Sequence, residues 1–173
     1  MTERLKEIIL TPPAAALLGA LCGLGARYAE YKDILFEDVT SRLMAWVFIC
    51  VLVTLLCSAK KQAVIFVSFF AVPMLLANFG LWYYLTKTTG YEQFSVLRLV
   101  CWIAFGLLSP LFASGVYMTK SHSLFAILMR PATVLLPVIV TLIAFRSICI
   151  ADVVFTLALA YLMYVKKLGR TDE

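Results

Sequence analysis

The chain has 173 residues, of which 63% are hydrophobic and 14% are charged, and its mean hydropathy is +0.96. These values lie well outside the range of soluble globular proteins, so the sequence predicts one integral membrane domain in a lipid bilayer and no separate soluble domain. The net charge is +5, but the basic residues stand at the ends of apolar runs and form no stripe with interleaved aromatic residues. This distribution argues against a nucleic-acid partner.

Six apolar runs separated by short polar segments predict an all-α bundle of six transmembrane helices. The predicted spans are about 8–27, 42–59, 62–85, 98–119, 126–145 and 148–165. The third run is the clearest, because the twenty-five residues between Lys61 and Lys87 carry no charge. A helix of that length rises roughly 37 Å, which exceeds the hydrocarbon core of about 30 Å. The fifth span is the least regular, since Arg130 and Pro131 interrupt its beginning.

The first run is rich in small residues. Gly19 and Gly23 form a GxxxG pattern, and Ala16 and Ala20 repeat the same spacing on a neighbouring strip. In lipid, small residues at this spacing let two helix backbones approach closely and gain dispersion contacts. The four positions therefore predict a helix–helix contact, either with another span of the same chain or with a partner membrane protein.

The charges at the two ends of the predicted spans differ. The end that contains Lys60, Lys61 and both termini carries nine basic and four acidic residues, whereas the opposite end carries six of each. Lys and Arg accumulate on the cytoplasmic side of membrane proteins. The sequence therefore predicts a multi-pass protein of the cell (inner) membrane with both termini in the cytoplasm.

The outer end has the more informative pattern. Its first loop, predicted from Arg27 to Arg42, mixes charged and apolar residues, which is typical of a lid over the bundle mouth or of a short interfacial helix. Arginines stand at or just inside the outer helix ends, at positions 27, 42, 98 and 146. A guanidinium group binds a carboxylate or phosphate with two parallel hydrogen bonds, so these arginines predict an anionic ligand at the outer mouth.

A purely structural role is the alternative for the same arginines. They would then pair with acidic residues of the outer loops, and Arg146 would pair with Asp152, which is costly inside a span unless it is paired or faces water. Asn78, in the third span, either lines a cavity or makes an interhelical hydrogen bond. The predicted ligand-binding set is Arg27, Asn78, Arg98, Arg146 and Asp152.

The sequence contains no catalytic motif, so we do not expect an enzyme. It has no HExxH motif, no nucleophile with an adjacent base and no acidic cluster for metal-phosphate chemistry. All five cysteines fall inside apolar runs without a CxxC or Cys/His spacing, so we expect neither a metal nor another cofactor. A channel would show polar residues repeated along a span, and this pattern is absent from the sequence. A homo-oligomer could still create a pore.

Six short spans, a small-residue first helix and a long first outer loop resemble the substrate-binding membrane subunits of energy-coupling-factor transporters. In that family a small-xxx-small strip on the first helix contacts the transmembrane coupling subunit, and the outer loops close over a vitamin or similar small molecule. The matching positions are Ala16, Gly19, Ala20 and Gly23, with the Arg27–Arg42 loop.

This resemblance implies a ligand-binding subunit of a small-molecule uptake transporter, which takes an anionic or zwitterionic solute from the outer side. The chain also resembles other small bacterial multi-pass membrane proteins. The alternative function is therefore that of a non-enzymatic structural or regulatory protein, which acts through helix–helix contacts with a membrane partner.

Overall fold

The computed structural model describes residues 11–33, 43–91, 96–145 and 148–165, and every regular element in these ranges is helical. The six α-helices are α1 Pro12–Tyr31, α2 Leu43–Leu56, α3 Lys60–Thr89, α4 Val96–Met118, α5 Leu124–Phe145 and α6 Ile150–Ala160, and the π-helical turn Tyr161–Val165 follows α6. The predicted all-α class is confirmed for the described residues.

Helix α1 extends further than the sequence pattern predicted. It begins at Pro12, whose missing N–H is tolerated in the first turn, and continues through Arg27 to Tyr31. The expectation that a loop begins at Arg27 is therefore wrong for its first five residues. Charged and aromatic side chains do not interrupt a helix, and α1 is followed instead by Asp33, whose backbone is left-handed (φ 53°). The rest of the predicted lid lies outside the described residues.

Helix α3 is also longer than predicted, because it includes both Lys60 at its start and Thr89 at its end. Gly90 follows with φ 67°, a conformation that glycine adopts without the steric cost of a Cβ and that commonly ends helices. At about 1.5 Å per residue, the thirty residues of α3 rise roughly 45 Å.

The chain divides into two compact units. Among the described residues, the first unit contains α1, most of α3 and the first part of α4. The second contains α2, the first turn of α3, the last part of α4, and all of α5 and α6.

In the first unit, α1 and α3 contact each other through their backbones. A Cβ added to Gly19 would lie 2.1 Å from the carbonyl oxygen of Phe70, and one added to Gly23 would lie 2.1 Å from that of Met74. The contact advances four residues along α3 as it advances four along α1, so the two helices run in the same direction. Such close approach is what small residues permit between helices in lipid.

In the second unit, α2, α5 and α6 pack against one another. The rings of Phe48 on α2 and Phe155 on α6 lie 5.3 Å apart between their centroids. Two fully buried threonines, Thr54 and Thr133, donate their hydroxyl hydrogens to carbonyl oxygens one turn earlier in their own helices. Their polar groups are thereby satisfied without a partner from another helix.

Two turns of the second unit lie side by side. The hydroxyl of Tyr117, at the end of α4, donates a hydrogen bond of 2.7 Å to the carbonyl oxygen of Ser58, between α2 and α3. The ammonium group of Lys120, between α4 and α5, donates one to the carbonyl oxygen of Cys57. The C-terminal ends of α2 and α4 are therefore adjacent.

Two helical segments are long and apolar enough to cross a membrane, namely Lys60–Thr89 and Leu124–Ile143. The shorter apolar segments are Met44–Leu56, Trp102–Met118 and Ile150–Val165. Less than half of either long segment is buried within the chain. The helices thus support membrane association, while the arrangement of six spans stays a prediction.

Candidate functional site

The candidate site is centred on Arg27 of α1, one turn beyond Gly23. Its side chain is only 9% exposed, although it carries a permanent charge. One terminal nitrogen, Nη1, lies 2.7 Å from Oε2 of Glu30, and the other, Nη2, donates a hydrogen bond of 2.9 Å to Oδ1 of Asn78 on α3. The guanidinium group is therefore held from two sides, by its own helix and by the neighbouring one.

Asn78 connects the arginine to the glycine contact. Its side-chain Nδ2 donates a hydrogen bond of 3.2 Å to the carbonyl oxygen of Gly23 while its Oδ1 accepts from Arg27. The two hydrogen bonds together fix which way the amide points. The register that the glycines set between α1 and α3 therefore also positions the arginine.

Trp82 forms a third side of the site, one turn beyond Asn78 on α3. The central carbon of the Arg27 guanidinium lies 4.8 Å from the centroid of the indole ring, which is within the range of a cation–π interaction. The ring is itself 1% exposed and packs against Phe79. An aromatic face and a carboxamide thus compensate part of the hydration that Arg27 loses on burial.

One donor of Arg27, its Nε atom, is buried and has no hydrogen-bond partner in the described part of the chain. Glu30 is less enclosed, since a quarter of its side chain is exposed. A guanidinium with this geometry can bind the carboxylate or phosphate of a ligand in addition to, or in exchange for, Glu30.

Aromatic residues lie just beyond this cluster, where α1 and α3 end. The rings of Tyr31 and Tyr91 meet edge to face, with centroids 5.3 Å apart. The ammonium group of Lys32 lies 4.9 Å from the centroid of Tyr31. The exposed end of the site thus offers stacking surfaces.

The structure brings together two of the five predicted ligand-binding residues, Arg27 and Asn78. Arg98 lies in the first turn of α4, but its side chain is outside the described part of the structure. Arg146 and the hypothesised Arg146–Asp152 pair are also outside it. Asp152 is described, but it belongs to the second unit.

Asp152 has a local structural role in α6. Its Oδ2 accepts hydrogen bonds from the backbone N–H and the thiol of Cys149, at 3.1 Å and 3.3 Å, in a capping box. A carboxylate in the first turn of a helix also interacts favourably with the helix dipole. Asp152 is thus 97% buried, and its carboxylate caps its own helix.

The small-residue strip of α1 meets α3 within the chain. Gly19 and Gly23 are buried in this contact, whereas Ala16 and Ala20 are only half-buried. Sequence reasoning missed Ala15, which is fully buried. The signal was present, because Ala15 precedes Gly19 by the same four residues that separate the two glycines.

Sequence reasoning also missed the roles of Glu30 and Trp82. Glu30 was assigned to a loop, although its spacing of three residues from Arg27 would place both on one face of a helix. Trp82 is not in the predicted ligand-binding set, although it follows Asn78 by four residues and therefore shares its helix face. Extending the first predicted span by one turn would have placed Glu30 on the same helix face as Arg27.

No protein-family model matches the chain, and no curated protein or solved structure matches it. Among the described residues, no group of three or more metal-ligating side chains lies together.

Proposed function

We propose that the chain is a multi-pass protein of the cell membrane with six spans and both termini in the cytoplasm. The parallel α1 and α3 support this placement, because first and third spans run in the same direction when successive spans alternate. The adjacent turns after α2 and α4 support it in the same way. Large apolar side chains such as Leu107, Leu111 and Ile143 are more than 60% exposed, which is unfavourable in water but not in hydrocarbon.

We propose further that the chain is the ligand-binding subunit of a small-molecule uptake transporter, with an outward-facing site centred on Arg27. The single observation that carries this proposal is the buried guanidinium group, which Asn78 and Trp82 hold in a fixed position. Burying a charge costs several kcal/mol before its partners compensate, and apolar residues would pack α1 against α3 without that cost. An arginine within a membrane helix pair therefore favours a binding role.

The contacts of Arg27 favour an anionic or zwitterionic solute. A solute carboxylate would bind the guanidinium, and the exposed part of Glu30 would bind an ammonium group if the solute carries one. The ring of Trp82 would keep the arginine side chain in place during this exchange, because the indole face attracts the cation.

Native mass spectrometry of the gently purified chain tests this function. We expect a retained solute of low mass, which is lost when Arg27→Gln removes the charge. Lys87→Gln is the matched control, because Lys87 is exposed near the end of the same helix pair and the substitution removes the same charge. Absence of a retained solute in the wild type, or equal retention in Arg27→Gln, would contradict the proposal. Circular dichroism establishes that both variants keep their helices.

A structural or regulatory role in contact with a membrane partner is the second candidate. It is favoured by the Arg27–Glu30 ion pair, because a cluster that already contains its own carboxylate can clamp α1 to α3 without a ligand. The Gly19/Gly23 face is occupied by α3, so a partner would contact another face of the chain. Co-purification of a stoichiometric partner that persists in Arg27→Gln would support this candidate over the first.

A further inference from the structure

Basic residues gather at the two adjacent turns of the second unit. Lys60 and Lys61 are exposed in the first turn of α3, which contains no acidic residue. Lys120 lies between α4 and α5, half-buried against the carbonyl of Cys57 and 4.4 Å from the centroid of the Tyr117 ring. We call Lys60, Lys61 and Lys120 the basic collar.

Arg130 fixes the shape of the second turn. Its Nε and Nη2 donate hydrogen bonds of 3.2 Å and 3.0 Å to the carbonyl oxygen of Thr119, and Nη2 donates another of 2.9 Å to that of Ser121. These carbonyl groups follow the last residue of α4, where no helical N–H is available to them. The turn that carries Lys120 is thus held in place by a basic side chain of α5.

The positive charge of the collar is not balanced within the described part of the second unit. The acidic residue described there is Asp152 alone, which caps the start of α6. The twenty-two residues of α5 separate the start of α6 from the collar by roughly 33 Å. This distance exceeds the screening length of about 8 Å at physiological ionic strength, so no carboxylate among the described residues of this unit compensates the positive charge of the collar.

Exposed apolar side chains adjoin the collar in the same turns and helix ends. Leu56 ends α2, Met118 ends α4, and Leu124 and Phe125 begin α5, and all four are at least 40% exposed. A free phosphate would use only the charged groups. A phospholipid would use both kinds of surface, with its phosphate at the lysines and its acyl chains along the apolar side chains.

On the membrane placement proposed above, we infer that the basic collar is a binding site for an anionic phospholipid headgroup of the cytoplasmic leaflet. The phosphate accepts hydrogen bonds from the ammonium groups of Lys60 and Lys61, and Lys120 adds a third positive charge. The site is distinct from the Arg27 cluster, because it lies at the opposite end of α3 and belongs to the other unit.

Native mass spectrometry after reconstitution tests this inference with two defined lipids. The full chain is incorporated into nanodiscs that contain equal amounts of phosphatidylglycerol and phosphatidylcholine, and the lipids that remain bound after release are counted. Each basic residue near an anionic surface contributes about fivefold to binding. We expect preferential retention of phosphatidylglycerol in the wild type and a decrease of this preference by about fivefold or more in Lys60→Gln/Lys61→Gln.

The double variant Lys32→Gln/Lys87→Gln is the matched control, because it removes two exposed lysines from the other end of α1 and α3. It should keep the wild-type preference, and Lys60→Arg/Lys61→Arg should keep it as well. Equal retention of the two lipids by the wild type, or equal losses in both glutamine variants, would overturn the inference. Displacement of phosphatidylglycerol by millimolar inorganic phosphate would overturn the assignment to a lipid.

The outcome separates the lipid site from the membrane placement itself. Incorporation of the chain into the mixed nanodiscs with no lipid preference would overturn the collar site alone. Failure to incorporate into the mixed nanodiscs would overturn the membrane placement and the collar site together. A retained small solute in the same spectra reports independently on the Arg27 cluster.

Discussion

Substituting Gly23 by alanine tests the contact on which the candidate site depends. The added Cβ would lie 2.1 Å from the carbonyl oxygen of Met74, whereas an ordinary carbon–oxygen contact is about 3.4 Å. Helices α1 and α3 would therefore have to separate by about 1.3 Å. The obstacle is backbone and not a flexible side chain, so a rotamer change cannot relieve it.

The magnitude follows from the contacts that this separation breaks. Overpacking of this kind costs about 1–3 kcal/mol. The hydrogen bond between Arg27 Nη2 and Asn78 Oδ1 is 2.9 Å long and would lengthen to roughly 4 Å, which removes about 1 kcal/mol more. We therefore expect Gly23→Ala to lower the free energy of unfolding by roughly 2–4 kcal/mol.

Gly25→Ala is the matched control, because nothing lies within 4 Å of a Cβ at that position. Alanine there should be neutral or stabilise α1 by about 0.5–1 kcal/mol, since glycine is the weaker helix former. Equilibrium unfolding in mixed micelles, followed by far-ultraviolet circular dichroism, measures both variants. Equal stability of Gly23→Ala and Gly25→Ala would refute the backbone contact between α1 and α3.

Three other contacts make measurable predictions. A double-mutant cycle of Arg27→Gln with Asn78→Ala should give a coupling free energy of about 0.6–1.7 kcal/mol in unfolding measurements, and additive effects would contradict their hydrogen bond. Ser109→Ala should lower the free energy of unfolding by about 1 kcal/mol. The hydroxyl of Ser109 donates to the carbonyl oxygen of Gly106, which receives no helical hydrogen bond from Pro110 because proline has no N–H. Burial lowers the pKa of Lys120 in the folded chain below its ordinary 10.5, so between the folded and the unfolded pKa the unfolded chain binds more protons. Raising the pH from the folded to the unfolded pKa should therefore raise the free energy of unfolding of the wild type relative to that of Lys120→Met. Parallel dependences of the two free energies of unfolding on pH would contradict this.

Much of the helical content could be predicted from the sequence, because long uncharged runs specify helices in a membrane-like composition. The ends were less predictable. Charged residues at the end of α1, such as Glu30, indicate a loop by hydropathy, but charged side chains are compatible with helical backbone dihedrals and α1 continues through them. The end is marked by Asp33, whose left-handed conformation depends on local backbone energetics that hydropathy does not report.

The candidate site was predictable only in part. Arg27 and Asn78 are both in the predicted ligand-binding set, but their pairing depends on the rotation and register of α1 against α3. Gly19 and Gly23 predict a close contact with another helix, but the pattern does not specify which helix packs against them. Trp82 could be placed in the site only once that register was known.

Accessibility of engineered cysteines from the two sides of the membrane tests the central claim most directly. In a chain without its native cysteines, Ser58→Cys and His122→Cys report on the two adjacent turns, and Thr88→Cys reports on the far end of α3. With a membrane-impermeant maleimide, we expect Thr88→Cys to be labelled in intact cells. The other two should be labelled only after permeabilisation. Labelling of Ser58→Cys and Thr88→Cys from the same side would contradict a membrane-spanning α3 and the outward-facing site at Arg27.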